Sequence, residues 1–590
     1  MPERLALATC FQRGCSRQFA YAREVLCLLA VLARPHSSYW TAVRWLLGGA
    51  LGLVLLQGVM AWADAPLGST YVPLDSWVYA AFDRLAALGV VNKQFEGLRP
   101  WTRIQCAQLV LDAEENLSGA DVKNDEAAAL YDDLDREFSV EINLLSGGAA
   151  RQARVESVYT RAMGISGTPL RDSFNFGQSI ANDFGRPFNT GFDNVSGFSA
   201  QASDGRFFAS IRGEYQHSPA YAGLTAAQQS SIAQLDGTPS APYSQATGTI
   251  NQFDLLDTYA GLRLGVFDVT FGKQSLWWGP GTTGSMLMSN NIDPVLMLKV
   301  NQVEPIVLPG FLGLLGPVRI QAFMGRLSGY QFPHAPYIHG EKIMVKPSPN
   351  VEIGLSRTTI AFGQGIPMTL HNLFATYFSV TDICCVANPQ NFPGKRQGGL
   401  DFAFRFPHLR KWLTVYLDSF SSDDVDPVVN PSRAMYNPGI YLPQIPRLQK
   451  FDFRFELATT RNREQAYYSF FYKEGYTNKG FLMGNTVGRH GSTFDVSTTY
   501  WLSPRKRVQV GWREEAEGKE FMLSKGSQNS LRVKAEWLVQ KEMGLSVFAQ
   551  HEHWAFPFLA TGAQGDNVVS LQLTVYPKKL SSRTALRTAD

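Results

Sequence analysis

The chain has almost no excess of charge of either sign, with 54 basic residues against 51 acidic ones over 590 positions. A nucleic-acid binder needs a basic surplus to displace counterions from phosphates, so that class is excluded. Cysteine is scarce, at six residues, of which Cys10, Cys15 and Cys27 precede residue 64 and Cys106, Cys384 and Cys385 follow it. Three is an odd number and two of the three are adjacent, so no disulfide framework is implied. After Ala63 no apolar run approaches the roughly 18 residues that a membrane helix requires, which excludes a helical membrane protein and leaves a β-barrel open. There is no GxxxxGK[ST] phosphate loop, and no G-x-S-x-G stands between a strand and a helix. Disorder is excluded too, since 45% of the residues are hydrophobic.

The sequence opens on a basic leader. Arg4, Arg13, Arg17, Arg23, Arg34 and Arg44 face only Glu3 and Glu24, and the uncharged stretch Trp45 to Ala63 follows. It ends on Ala61-Trp62-Ala63 before Asp64, so a basic flank, an apolar core and small residues occur in the order of a secretory signal peptide. Four glycines and Gln57 within the stretch argue against a membrane anchor of similar length. A second apolar piece, Val25 to Ala33, makes the flank long, and a true start near Val43 would explain it. No cysteine stands at the cleavage point to carry a lipid.

From Asp64 to Ser146 the apolar period is helical. Val78, Ala81, Phe82, Leu85 and Leu88 predict a first helix stopped at Gly89, and Thr102 to Gln105 form a capping box that opens a second, through Leu117. Leu130, Leu134 and Phe138 predict a third over Glu126 to Phe138. Each amphipathic face needs the others for burial, which makes a small bundle, and Ser146 to Ala150 reads as a linker.

Beyond residue 150 the period becomes two. Leu400, Phe402, Phe404 and Phe406 alternate with polar or small residues, as do Phe451 to Leu457 and Leu531 to Val539. Hairpins are predicted at Phe198 to Tyr215, around Ser203-Asp204-Gly205, and at Ala260 to Phe271, around Gly265. The last segment alternates on Val569, Leu571, Leu573 and Val575, ends at Tyr576 and is stopped by Pro577 before a polar tail. A secreted sandwich also alternates, but here the apolar faces are heavy in Phe, Trp and Leu over membrane-crossing lengths, and the opposite faces carry both signs of charge. An all-β transmembrane barrel is therefore expected over residues 151–576, with about 16 to 20 antiparallel strands, preceded by the helical bundle of residues 64–146. A free strand edge has no hydrogen-bond partner in hydrocarbon, so the barrel must close. Arg206, Arg212, Glu214, Arg405, Arg454 and Arg532 are expected to face the lumen, chiefly in mutual salt bridges. Ser218 to Gly248, Phe332 to Tyr337 and Asp423 to Pro446 are expected to be long external loops.

The most distinctive segment is Gly272 to Glu304. Trp277-Trp278-Gly279-Pro280-Gly281 joins two large aromatics to a forced turn, and Ser289-Asn290-Asn291 and Asp293-Pro294 follow. A girdle pair at the membrane interface plus a turn is the plain structural explanation. Aromatic faces and amides also suit a sugar, through C–H stacking and hydrogen bonds to hydroxyls. An inward fold that narrows the lumen or braces the helical bundle is a further alternative of equal weight.

With Leu287-Met288 before Ser289-Asn290-Asn291, this run resembles the signature of the Wzi family of capsule-assembly proteins. The likeness extends through Gly177-Gln178 and Asn182-Asp183 and over Val72 to Tyr576, though the loop Ser218 to Gly248 and the pair Cys384-Cys385 depart from it. The resemblance implies an outer-membrane barrel of about 18 strands, with the bundle at its periplasmic end and long loops outside the cell. It implies a non-enzymatic, lectin-like role, holding capsular polysaccharide or exopolysaccharide at the surface. Outer-membrane lipid and the capsule export machinery are its expected partners, with no nucleic acid, and the chain is expected to act as a monomer. A diffusion porin or carbohydrate-selective channel is the alternative, because 16 to 18 strands suffice for an aqueous pore. The bundle discriminates between the two, since it would block conduction. No cofactor or metal is expected: His551 and His553 share a strand face, but no third ligand is indicated.

Overall fold

The computed structural model describes residues 67–118, 124–237, 245–378, 392–422, 431–461, 466–518, 525–540 and 542–577. The leader with its apolar core, Cys384-Cys385 and the tail beyond Pro577 lie outside the described residues.

Three helices come first, α1 (Trp77–Ala87), α2 (Arg103–Ser118) and α3 (Asp125–Leu145). α1 starts where the Ser76 hydroxyl accepts the Val78 N–H, and it gives way at Gly89, whose φ of 86° suits a residue without Cβ. At the head of α2 the capping box is reciprocal: the Gln105 N–H donates to Thr102 Oγ1 at 3.1 Å and the Thr102 N–H to Gln105 Oε1 at 2.9 Å. α3 runs past Phe138 to Leu145 because Glu141 and Leu144 continue its buried face, and Glu141 accepts from Arg103 at 2.7 Å. Phe82, Leu85, Trp101, Val110, Leu134 and Phe138 share one apolar core, which Trp501 from the barrel joins.

The strands described beyond residue 150 form a closed antiparallel barrel. Its strands are β1 (Arg151–Gly167), β2 (Gly191–Asp204), β3 (Phe207–Ser218), β4 (Ile250–Leu255 with Thr258–Leu264), β5 (Phe267–Gln274) and β6 (Val295–Gln302 with Ile306–Val307). β7 (Pro317–Arg326), β8 (Tyr337–Ser348), β9 (Val351–Ala361), β10 (Lys395–Arg405), β11 (Thr414–Ser422) and β12 (Met435–Leu442) follow. β13 (Phe451–Thr459), β14 (Gly491–Ser503), β15 (Lys506–Glu517), β16 (Gly526–Gln540), β17 (Met543–Ala555) and β18 (Gln564–Val575) complete it. With β4 and β6 each counted as one interrupted strand, the sheet has 18 strands. Each strand pairs with its neighbour in sequence, and β18 pairs with β1 from Val158↔Val575 to Gly167↔Asp566, so no edge is left.

Side chains divide by face. Leu531, Val533, Val569, Leu571, Leu573 and Val575 point outward and are exposed, whereas Glu214, Asn301, Gln321, Lys342, Asp401 and Arg405 point inward and are buried. An apolar exterior round a polar, ion-paired interior suits a wall against hydrocarbon. Inside, Lys342 meets Asp401 at 2.5 Å and Lys346 meets Glu352 at 3.2 Å.

Two expectations need correction. Arg206 lies in the Gly205-Arg206 turn between β2 and β3, because Phe207 pairs with Asp204 and the hairpin turns later than the Gly signal suggests. Asp423 to Pro446 is not one loop, since Met435–Leu442 forms β12. Pro438 disguises this strand: with no N–H to give, its ladder to β13 passes from Tyr436↔Thr459 directly to Gly439↔Glu456.

The helices pack at the end of the barrel where short turns join the strands. Arg410, between β10 and β11, donates to Ala86 O at 2.8 Å, Asn92 Oδ1 at 2.7 Å and Val91 O at 3.1 Å. Arg84 donates to Gln449 O at 2.8 Å and to Pro443 O. Residues 92–100, between α1 and α2, enter the lumen, where the Glu96 N–H donates to Glu352 Oε2 at 2.8 Å and the Glu96 carboxylate pairs with Arg405. Bundle and barrel therefore belong to one compact unit, Ala61–Asp590.

Candidate functional site

The segment from Ser275 to Pro294 leaves β5 at the end away from the bundle and folds back into the lumen. Burial drives the fold: Leu276, Trp278, Met286, Leu287, Met288 and Ile292 all join one large core cluster. Trp278 is 1% exposed, its indole donates to Gln321 Oε1 at 2.7 Å, and its ring meets Phe323 edge-on at 5.5 Å. The Trp277 backbone exchanges two 3.0 Å hydrogen bonds with Arg99, so this loop touches the helical segment directly. Neither Trp presents an open ring face, and the pair sits inside the barrel rather than in an exterior girdle.

The turn after the two tryptophans is fastened to carboxylates of the wall. Glu456 on β13 accepts the Thr282 N–H at 2.8 Å and the Thr283 N–H at 3.0 Å, and Asp418 on β11 accepts the Met286 N–H at 2.7 Å. Gly279 has no room for a side chain, since a Cβ there would run into the Asp418 carboxylate. Gly281 lies beside Asn437 and Glu456, and Pro280 between them is buried.

Two further loops lock onto this one. Ser289 Oγ donates to Gly484 O at 3.0 Å, and Asn291 is held by Gln178 on one side, at 2.9 and 3.2 Å, and by Leu482 O on the other, at 3.1 Å. The Asn290 carbonyl accepts the Phe184 N–H at 2.7 Å. Asp293 sits 2.9 Å from both Lys273 and Lys479; burial nevertheless pushes its carboxyl above the ordinary range, against the pull of the two lysines. Asp183 goes the other way, because Arg161 and Arg186 outweigh the cost of its burial.

The loop of residues 168–190 supplies Phe174, Gln178, Asn182 and Phe184, and residues 466–487 supply Tyr467, Tyr472, Tyr476, Leu482 and Met483. Phe95 and Leu98 from the helical segment reach the same cluster from the opposite end. The lumen is thus filled from both mouths by one continuous core. Sequence reasoning identified residues 272–304 by the Gly-Pro-Gly turn, but it missed residues 466–487. Their signal was the pair Tyr467-Tyr468 and the triplet Phe470-Phe471-Tyr472 on either side of Ser469, which break the two-residue alternation.

The lumen charges expected from sequence pair as groups. Arg212 meets Asp75 of the helical segment at 2.8 Å and donates to the Tyr159 hydroxyl at 2.9 Å, and Glu214 accepts from Arg186 at 2.8 Å. Arg454 lies 3.5 Å from Asp83 and over the Tyr441 ring at 3.7 Å, and Arg532 pairs with Asp495. His551 and His553 stand on the exterior with their Nε2 atoms 2.8 Å apart, and no cluster of three metal-binding side chains occurs among the described residues.

Among the described residues of the loop 466–487, an aromatic and a cation stand at the surface. Phe470 is exposed with Lys473 4.7 Å from its ring centroid, and the half-buried Tyr468 lies 4.7 Å from the Arg489 guanidinium.

Comparison with known proteins identifies the architecture. The structure of Wzi from Escherichia coli, an outer-membrane protein involved in group 1 capsule assembly and described as a carbohydrate-binding β-barrel, superposes with a TM-score of 0.64 at 15% identity. The match covers 86% of this chain and 100% of that one. An uncharacterized 55.8 kDa protein in the cps region of Klebsiella pneumoniae is 25% identical over 194 residues, 32% of this chain. That alignment spans 37% of the relative's own length. The model of the capsule assembly protein Wzi family matches residues 160–568, and the chain belongs to that family.

Proposed function

We propose that the protein is an outer-membrane barrel that binds and anchors capsular polysaccharide or exopolysaccharide at the cell surface, without turning it over. The observation that carries this reading is the filled lumen: a barrel closed from both mouths offers surfaces, not a pathway. The helical segment and the short turns lie on the periplasmic side in this reading, and the long loops face outward, the usual asymmetry of outer-membrane barrels. The apolar exterior faces lipid. Family membership supports the polysaccharide as the partner, and the Trp277 to Asp293 segment serves as scaffold rather than as sugar contact.

The glycan meets the outer side of the loops, where Phe470 offers a ring face for C–H stacking and Lys473 a positive charge beside it. Phe470→Ser with Lys473→Ser is expected to lower retention of the organism's own purified polysaccharide on the refolded protein. Gel mobility should stay heat-modifiable, because Phe470 is exposed and the Lys473 ammonium holds the Asp236 carbonyl at 3.2 Å rather than a side chain of the core. Unchanged retention would remove this patch from the site, and no retention by the unaltered protein would overturn the binding role.

A further inference from the structure

Two helices stand in connections between strands, α4 (Ala226–Asp236) between β3 and β4 and α5 (Leu370–Phe378) between β9 and β10, and α5 is amphipathic in the reverse sense for a loop covering a protein wall. Its buried positions are Asn372 and Thr376, while Leu370, Phe374 and Phe378 recur at every fourth residue and are 75, 59 and 53% exposed. Asn372 Nδ2 donates to Pro367 O at 2.9 Å within the connection itself, and the wall engages Thr376 and Tyr377. Thr376 Oγ1 lies 3.0 Å from His339 Nε2, the Tyr377 hydroxyl donates to Glu341 Oε1 at 2.7 Å, and Arg357 donates to Tyr377 O at 3.1 Å and to Thr376 O.

The wall residues concerned point out of the barrel. On β8 the inward positions are Ile338, Lys342 and Met344, so His339 and Glu341 belong to the outer face, and on β9 Arg357 alternates with the inward-facing Thr358. Register places them within the apolar exterior: Leu298 on β6 is opposite Met324 on β7, and Met324 is opposite His339. Leu298 is exposed and aliphatic, so this hydrogen-bonded row begins as bare apolar wall and becomes polar at β8. Below the polar patch the exterior is apolar again, with Leu355 opposite Leu400 and Ile353 opposite Phe402.

A His, a Glu and an Arg turned toward hydrocarbon would be costly to leave unpaired. α5 covers all three and presents two phenylalanines and a leucine in their place. We infer that α5 is a membrane-contacting helix, lying along the outer wall with its Leu370, Phe374 and Phe378 stripe among the acyl chains of the outer leaflet. An amphipathic helix in that position extends the barrel's lipid belt and ties the β9 to β10 connection to the membrane surface. The inference rests on the reading of the barrel as membrane-embedded with its long loops outward.

Photocrosslinking in cells separates the two. Benzoylphenylalanine is placed at Phe374, at Leu298 on the bare wall, and at Phe470 on the outer side of the loops; all three side chains are exposed, so none is needed for folding. The expected result is a lipid adduct at Phe374 as at Leu298, and its loss at Phe470. A lipid adduct at Leu298 alone would overturn the assignment of α5, as would an adduct at Phe374 with a second copy of the chain or with polysaccharide. No lipid adduct at Leu298 would overturn the embedded barrel itself.

Discussion

At the scale of single residues, the segment from Trp277 to Asp293 is a set of packing constraints. Trp278 fills the space beside Phe323, and its indole N–H satisfies a glutamine inside the wall. Trp278→Ala should cost about 3–5 kcal/mol, the usual price of removing a buried Trp, seen as a lower urea midpoint for the refolded protein; an unchanged midpoint would contradict the scaffold role. The motif was legible in the sequence because a Gly-Pro-Gly turn after two tryptophans is rare chemistry. Its role was not, since the partners Gln321, Asp418, Glu456 and Gly484 lie 43 to 195 positions away. Arg206 was displaced for a local reason instead, since the hairpin turns at Gly205-Arg206 rather than before it.

Glu96 gives the residue scale a pH signature. Burial alone would raise its carboxyl, but Arg405, then Arg99 and Lys346, hold it down at about 2. A carboxylate depressed when folded contributes stability above its unfolded value, and that contribution is lost as pH falls through the folded value. Attachment of residues 92–100 in the lumen should therefore weaken between about pH 4.5 and 2. Asp83 opposes part of this loss, since burial lifts its carboxyl and acid favours its neutral form. Glu96→Gln should flatten the acid limb of stability against pH, and an identical limb in the variant would assign the effect elsewhere.

At the scale of elements, local periodicity was the most readable feature. α1 and α2 follow their apolar spacing and caps, and β16 and β18 follow their alternation. Elements escaped where local chemistry and tertiary role conflict: Pro438 inside β12, the aromatic run of residues 466–487, and α5 with its apolar side turned away from the protein. Arg410 holds α1 and the segment after it through three hydrogen bonds, two of them to backbone carbonyls. A charged hydrogen bond contributes about 1.5–3 kcal/mol. Arg410→Ala should speed hydrogen exchange over α1 while the strand amides far from it keep their protection; equal exchange in α1 would mean that the apolar core alone holds the helices.

At the scale of the whole molecule, closure was legible from hydrocarbon's lack of hydrogen-bond partners, and the count of about 18 strands came with the family resemblance. The filling of the lumen was only half legible. The bundle suggested a block at one mouth, but the meeting of Phe95 and Leu98 with Trp278, Tyr467 and Met483 in one cluster depends on contacts far apart in sequence. That meeting separates a binding barrel from a pore of similar strand number. Its most direct test is single-channel conductance of the refolded protein in a planar bilayer, with and without the organism's own purified surface polysaccharide. The account predicts no steady conductance in either case, together with retention of the polysaccharide by the closed barrel. A large, steady conductance indifferent to the polysaccharide would contradict it.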